Sequence, residues 1–302
     1  MPYCFRYRLP DSDLQASIGR HGLLTPVLVT REERPVVIAG HKRLHAARAL
    51  RMKEIPAVFV QKLPPRDVFH LSLVSNWKQV CSEMDRVLAI DLAVREFRFK
   101  DSEVLSTVMP LLGLPGDKAL LEFFKKARQF PVSFKDLIED GRWPIRSLMP
   151  FLKFSEWDQD YFARKTGAAL RLTSSQLQQA GEWLLDIRRR TGKSLRKLCE
   201  EHGLFSGLNQ KGMDPRIRAD RFFSRVKTLR FPGYSKHLEI FDGKKREVLG
   251  GANEFRLEPI QGFEEPGFEL HARLKNPQAL ERLIEKLSLK RAELNSLFEI
   301  AL

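Results

Sequence analysis

Gly40-His41-Lys42-Arg43, a glycine followed at once by a histidine and two cations, is where residue types and spacing in this 302-residue chain could do chemistry. Leu44, Ala47 and Leu50 recur behind it at helical spacing, so His41 to Arg51 is read as a helix. Lys42 and Arg43 then stand in its first turn, where the macrodipole favours anions over cations. Cations beside free backbone N–H groups suit a bound phosphate, which a helix start and a guanidinium grip together. The plainer reading has both side chains pointing into water, at a cost of roughly half a kcal/mol. The stretch by itself supports both readings.

The elements that must position these residues are legible on either side. Val36, Val37 and Ile38 are β-branched and adjacent, which reads as a buried strand, and Ala39-Gly40 lets the backbone turn sharply. Ile55 to Val60 returns to strand character after the break at Pro56. Upstream, Tyr3, Phe5, Tyr7 and Leu9 alternate with Arg6 and Arg8 as in a half-buried strand. Asp11 or Ser12 caps a short helix with Leu14 and Ile18 facing inward, Gly22 ends it, and Val27 to Thr30 form the next strand. Glu32 to Pro35 is a polar turn, and the whole is a compact α/β unit.

Gly40-His41-Lys42-Arg43-Leu44-His45-Ala46 resembles the G-x-x-R-x-x-A box of the ParB-type N-terminal domain. Ile18 to Val27 (IGRHGLLTPV) resembles that family's helix end, glycine and strand entry, and Val74 to Gln79 (VSNWKQ) stands in the place of its E-N-x-x-R box. Order and spacing agree over roughly residues 5 to 90. The resemblance implies a ParB/sulfiredoxin-like fold from a prokaryotic partition-protein lineage, cradling CTP or another nucleoside triphosphate with Mg2+. The implied nucleotide contacts are Gly22, Thr25, Gly40, His41, Lys42, Arg43, Ala46 and Asn76, with Asn76 also the implied metal ligand. The departures are Thr25 for Gln, His41 for Glu, Ser75 for Glu and Gln79 for Arg. Magnesium wants oxygen ligands, so these losses weaken metal handling and hydrolysis before phosphate binding. The glycine box holds no cysteine, which argues against sulfiredoxin chemistry.

Other chemistry is missing. The seven histidines form no H-E-x-x-H, and no Cys/His cluster has zinc spacing. No G-x-S-x-G elbow or Walker-type loop occurs, and the adjacent acids Glu200-Glu201 and Glu264-Glu265 read as surface pairs. Cys4, Cys81 and Cys199 lie far apart, which fits a reducing cytosol, and no apolar run reaches the length of a membrane span. The expectation is a cytoplasmic protein without a membrane partner.

From Ser82 to about residue 204 the pattern is helical. Ser82 and Asp85 resemble a capping pair, and Val87, Ile90, Val94 and Phe97 form an apolar face with Asp91 turned to water at its edge. Glu103 to Leu112 and Asp117 to Phe130 are two helices joined by Gly113-Leu114-Pro115-Gly116, in the outline of a helix-turn-helix. The second offers only Asp117, Lys118 and Glu122 for base readout, and its Leu120, Leu121, Phe123 and Phe124 favour a packed hairpin. Residues 137–159 loosely resemble the middle domain of ParB-like proteins.

Charge is unevenly spread. Lys and Arg number 52 against 38 Asp and Glu, a net +14. Between Ile187 and Arg230 thirteen cations face four acids, so this tract carries most of the excess. That concentration is the footprint of a phosphate-backbone site, with a solvated helical face as the alternative. The residues assigned to DNA are Arg188, Arg189, Arg190, Lys193, Arg196, Lys197, Arg216, Arg218 and Arg221, with Gly203 to Gly212 as a linker inside the tract.

The C-terminal part reads as a small α/β unit. His237 to Phe241, Glu254 to Leu257 and Phe268 to Leu274 are expected strands, with turns at Asp242-Gly243 and Gly250-Gly251. Asn276 caps a helix striped by Leu280, Leu283, Ile284 and Leu287, and a last helix carries Leu294, Leu297 and Ile300. The stripe fits a packed core or a homodimer contact. The fold class expected is α+β, in three domains: 1–80 nucleotide-binding, 81–205 helical and 206–302 α/β. Two functions are carried forward, a nucleotide-responsive DNA clamp or adaptor with weak or no hydrolysis, and a DNA- or protein-binding module whose nucleotide pocket has decayed.

Overall fold

A computed structural model describes residues 2–9, 11–76, 81–167, 169–208, 212–249, 255–260 and 267–298. The chain divides into two compact units, Met1–Asp220 and Arg221–Leu302. The fold is a helix-rich α+β arrangement with two small sheets.

In the first unit α1 (Ser12–His21) starts at Asp11, whose carboxylate accepts from the Leu14 N–H, and stops at Gly22, which takes φ 73°. Strands β1 (Val27–Thr30), β2 (Val37–Ala39) and β3 (Ala57–Val60) form one sheet in the order β2-β1-β3. β1 runs antiparallel to β2 with an irregularity at Leu28/Val29, and parallel to β3. The parallel pairing needs a crossover, which α2 (His41–Ala49) supplies. Val27, Val29, Ile38, Ala46 and Ala47 pack between sheet and helix. α3 (Pro65–Ser75) begins at a proline, whose missing N–H costs nothing at that position, and buries Val68, Phe69 and Leu73.

Helices then follow one another. α4 (Glu83–Arg95) opens with a reciprocal cap between Ser82 and Asp85 and buries Val87 and Ile90. α5 (Asp101–Glu103), a π-helical stretch (Val104–Val108) and α6 (Met109–Leu111) replace the single expected helix. Pro110 has no N–H to offer the regular ladder, and the backbone there widens. α7 (Lys118–Ala127), capped by Asp117, and α8 (Val132–Glu139) lead to a 3-10 segment (Ile145–Lys153). α9 (Glu156–Thr166), α10 (Ser174–Thr191) and α11 (Leu195–Glu201) complete the helical series. Phe134, Trp143, Phe151 and Phe162 form its aromatic centre, with ring centroids 4.7–6.0 Å apart. α12 spans Pro215–Arg230.

The second unit holds α13 (Pro232–Leu249), β4 (Phe255–Pro259) paired antiparallel with β5 (Phe268–Ala272), α14 (Pro277–Leu289) and α15 (Arg291–Phe298). Phe241, Leu257, Leu283 and Leu297 are its core.

Four expectations are corrected. Residues 2–9 form no strand: Tyr3 and Phe5 are buried, and Arg6 turns inward because Asp85 awaits it. His237 to Phe241 is helical, not a strand, and Asp242-Gly243 continues the helix; a five-residue apolar pattern fits either period, and Gly243 meets open space. Asp91 is turned inward rather than to water, held 2.9 Å from both Arg95 and Arg128. The expected linker after Gly203 buries Leu204 and Leu208. Gly250-Gly251 and Ile300 lie outside the described residues.

A cationic cleft at the start of helix α2

Gly40 adopts φ 96°, in the left-handed region, and so delivers the chain from β2 into α2 within one residue. Space demands glycine as well: a Cβ there would meet Val27 Cγ1 at 3.0 Å and Arg43 Nη2 at 3.1 Å. Behind this turn lies a cleft of about 370 Å³, walled by Phe5, Arg6, Leu14, Leu28, Ala39, Gly40, His41, Lys42, Arg43, Ser75 and Asn76. That volume falls at the small end of ligand sites. Helix start, three cations and an apolar wall thus face one space.

Each charged side chain is held. Arg43 Nη1 donates to the carbonyls of Thr25 (2.8 Å) and Pro26 (2.6 Å), which ties α2 to the entry of β1. Burial lowers its pKa from the ordinary arginine value. Lys42 Nζ lies 3.3 Å from Asp11 Oδ2, while Asp11 Oδ1 caps α1, and its N-cap bond first, then Lys42, lowers the carboxyl pKa. His41 is only 5% exposed. Burial pulls its pKa down to about 4, so the ring is neutral at neutral pH; it bonds to the Val37 backbone and Nε2 has no protein partner.

Arg6 also lines the cleft. Its Nη1 donates to Asp85 Oδ2 at 2.6 Å and its Nη2 to Asn76 Oδ1 at 2.8 Å, and Cys81 Sγ stands 3.8 Å from Nη1. Arg6 and Asp85 side chains are 9% and 6% exposed, so this is a buried pair. Asp85 also accepts from the backbone N–H groups of Tyr7 and Ser82. Asn76 Nδ2 donates to the Ser72 carbonyl and Ser75 Oγ to the Leu71 carbonyl.

The residues expected to meet a nucleotide divide accordingly. Gly40, His41, Lys42, Arg43 and Asn76 come together in the cleft. Gly22, Thr25 and Ala46 do not line it: Gly22 ends α1, Thr25 offers its carbonyl to Arg43, and Ala46 is buried in the helix–sheet core. Arg6 was missed, because in sequence it alternates with aromatics and its partner Asp85 lies 79 residues away. Gln79 lies outside the described residues.

A magnesium ion does not fit this donor set. Among the described residues no carboxylate walls the cleft, and no group of three His, Cys, Asp or Glu could hold a metal. The Asn76 amide is engaged at both ends. A dication on its oxygen would have to displace the Arg6 guanidinium, which holds that oxygen at 2.8 Å.

The basic tract is partly neutralised at home. Arg188, Arg189 and Arg190 occupy the last turn of α10, where the dipole favours cations. Arg188 donates to the Lys153 carbonyl, and Arg189 lies 3.7 Å from Asp186, an acid just before the tract. Lys193 and Lys197 pair with Glu201 and Arg196 with Glu200. Arg216 and Arg221 are exposed. The tract crosses the division between units: Arg188 to Arg218 lie in the first, Arg221 to Arg230 in the second. In α7, Asp117 serves as N-cap, Glu122 pairs with Lys125, and Phe123 and Phe124 are buried. No helix among the described residues is long and apolar enough to cross a membrane.

Comparison of the whole sequence with curated proteins gives no match. Among solved structures, the C-terminally truncated chromosome-partitioning protein ParB from Caulobacter crescentus complexed to the centromeric parS site is 14% identical over 59% of this chain and 90% of that one, with a TM-score of 0.37. The same truncated protein complexed with CTP-gamma-S is 17% identical over 55% of this chain and 83% of that one, with a TM-score of 0.21. The model of the ParB N-terminal domain matches residues 12–77. The glycine turn, the start of α2 and Asn76 thus lie in the segment that the ParB N-terminal domain model matches.

Proposed function

We propose that the chain is a ParB-like, DNA-associated protein whose N-terminal cleft binds a nucleoside triphosphate, CTP by family resemblance, and that it acts as a clamp or adaptor with weak or no hydrolysis. The observation that carries this reading is the convergence of Lys42, Arg43 and the α2 N-terminus, inside the segment that the ParB N-terminal domain model matches, with Arg6 from just before it, on one cleft. Backbone N–H groups and cations grip phosphate oxygens there, with Arg43 as a fork and Lys42 as a point charge. Phe5, Leu14 and Leu28 give an apolar wall for the remainder of a nucleotide. Hydrolysis needs a group that orients or activates water. Ser75, whose hydroxyl is spent on the Leu71 carbonyl, is a poor one.

The DNA part rests on the exposed cations Arg189, Arg190, Arg196, Lys197, Arg216 and Arg221. Since several are paired locally, their contribution is read as backbone attraction without base readout. The test is calorimetric titration of all four nucleoside triphosphates into the full chain. Selective binding of one, with slow phosphate release in the presence of DNA, is the expected result. Absence of binding by any of the four would leave the alternative, a DNA- or protein-binding module.

A further inference from the structure

We infer that the cleft takes its triphosphate free of magnesium, with Arg6, Lys42 and Arg43 supplying the positive charge that a metal supplies elsewhere; the inference rests on the triphosphate reading above. Magnesium on a nucleotide is ordinarily held by one or two carboxylates together with the phosphates. Of the eleven residues that wall this cleft none is acidic.

The acids that contact the cations of the wall are already committed. Asp11 gives Oδ1 to the Leu14 N–H and Oδ2 to Lys42. Asp85 gives its oxygens to Arg6, Tyr7 N and Ser82 N. Recruiting either for a metal would unpair a cation of the same wall. The neutral oxygens are no better placed. Asn76 Oδ1 faces the Arg6 guanidinium at 2.8 Å, and Ser75 Oγ donates to Leu71. His41 offers nitrogen, which magnesium takes poorly.

The same contacts explain what replaces the ion. A triphosphate entering beside Arg43 and a helix start meets donors that are already oriented, while Arg6 and Lys42 stand in the same wall with Asp85 and Asp11 behind them. Arg6 is the distinctive member. It lies before the segment matched by the family model, and Asp85 and Asn76 hold it at the cleft.

The experiment titrates CTP, and in parallel the other three nucleoside triphosphates, into the full-length chain in excess magnesium and in excess EDTA. Affinity within about twofold in the two buffers, or tighter in EDTA, is expected. Binding that weakens about tenfold or more in EDTA would overturn the inference while leaving the triphosphate reading in place. Binding in neither buffer would overturn both. A double variant, Arg6→Gln with Asp85→Asn, removes the third cation together with its buried partner and so avoids an unpaired charge. Provided its melting curve stays cooperative, its affinity in EDTA should fall about tenfold, and unchanged affinity would overturn the part given to Arg6. Ser75→Glu places a carboxylate in the wall and should make binding respond to magnesium. A variant as indifferent to the metal as the wild type would contradict the donor-set argument.

Discussion

Removing the Asp85 carboxylate should unfasten the N-terminal segment from α4, and the cost can be worked from the contacts. Asp85→Ala deletes the acceptor for Arg6 Nη1 at 2.6 Å and for the Tyr7 N–H at 2.8 Å, and leaves a guanidinium whose side chain is 9% exposed without its anion. Breaking a buried pair from one side costs about 3–5 kcal/mol, because the surviving charge stays desolvated. For a unit the size of Met1–Asp220 each kcal/mol moves the midpoint by about 2–4 °C, so the melting temperature should fall by about 10 °C. Urea unfolding followed by circular dichroism gives the free energy directly. Replacing both partners, Arg6→Met with Asp85→Leu, should cost less than either single change, since an apolar pair leaves no buried charge. A loss under about 1 kcal/mol for Asp85→Ala, or a double variant no better than the singles, would refute the buried-pair account.

Other consequences are open to measurement. His41 has a folded pKa of about 4 against 6.5 in the unfolded chain, so the unfolded state binds the extra proton between those values. Stability should therefore be full above pH 6.5 and fall as the pH drops towards 4, by about 3 kcal/mol. His41→Phe should flatten that part of a pH series of urea midpoints, and an equal slope in both proteins would exclude His41 as its source. Gly40→Ala places a Cβ 3.0 Å from Val27 Cγ1 at a positive φ, and should destabilise by about 1–3 kcal/mol in a thermal melt; a neutral substitution would contradict the strain argument. Replacing Arg189 and Arg190, the exposed pair of the triplet, by Ala should flatten the slope of log K against log salt for random duplex DNA by about two units. An unchanged slope, or no binding at low salt, would return the tract to a helix C-terminus that merely suits cations.

The sequence carried the strand–glycine–helix turn well, because local signals coincide there. Val36 to Ile38 are β-branched, Gly40 is the residue a left-handed turn wants, and Leu44 and Ala47 follow at helical spacing. Asp11, Ser82 and Asn276 were readable as caps for the same reason. What escaped was decided over long separations. Arg6 reads as the outward residue of a strand, yet Asp85 draws it inward, and Asp91 reads as solvated, yet Arg128 reaches it from the end of α7. His237 to Phe241 failed differently: five residues do not separate a period of two from one of 3.6, and the core position of Phe241 is supplied by the unit's fold.

The central claim is that the start of α2 holds a triphosphate, and Arg43 tests it most directly. Calorimetric titration of CTP and the other triphosphates into wild type, Lys42→Ala and Arg43→Ala, with melting curves for each, separates binding from folding. Arg43 also anchors the Thr25 and Pro26 carbonyls, so a modest loss of stability is expected in that variant. The account predicts one site in wild type, about tenfold weaker binding in Lys42→Ala and none measurable in Arg43→Ala at a temperature where it remains folded. Equal affinity in wild type and Arg43→Ala would contradict it.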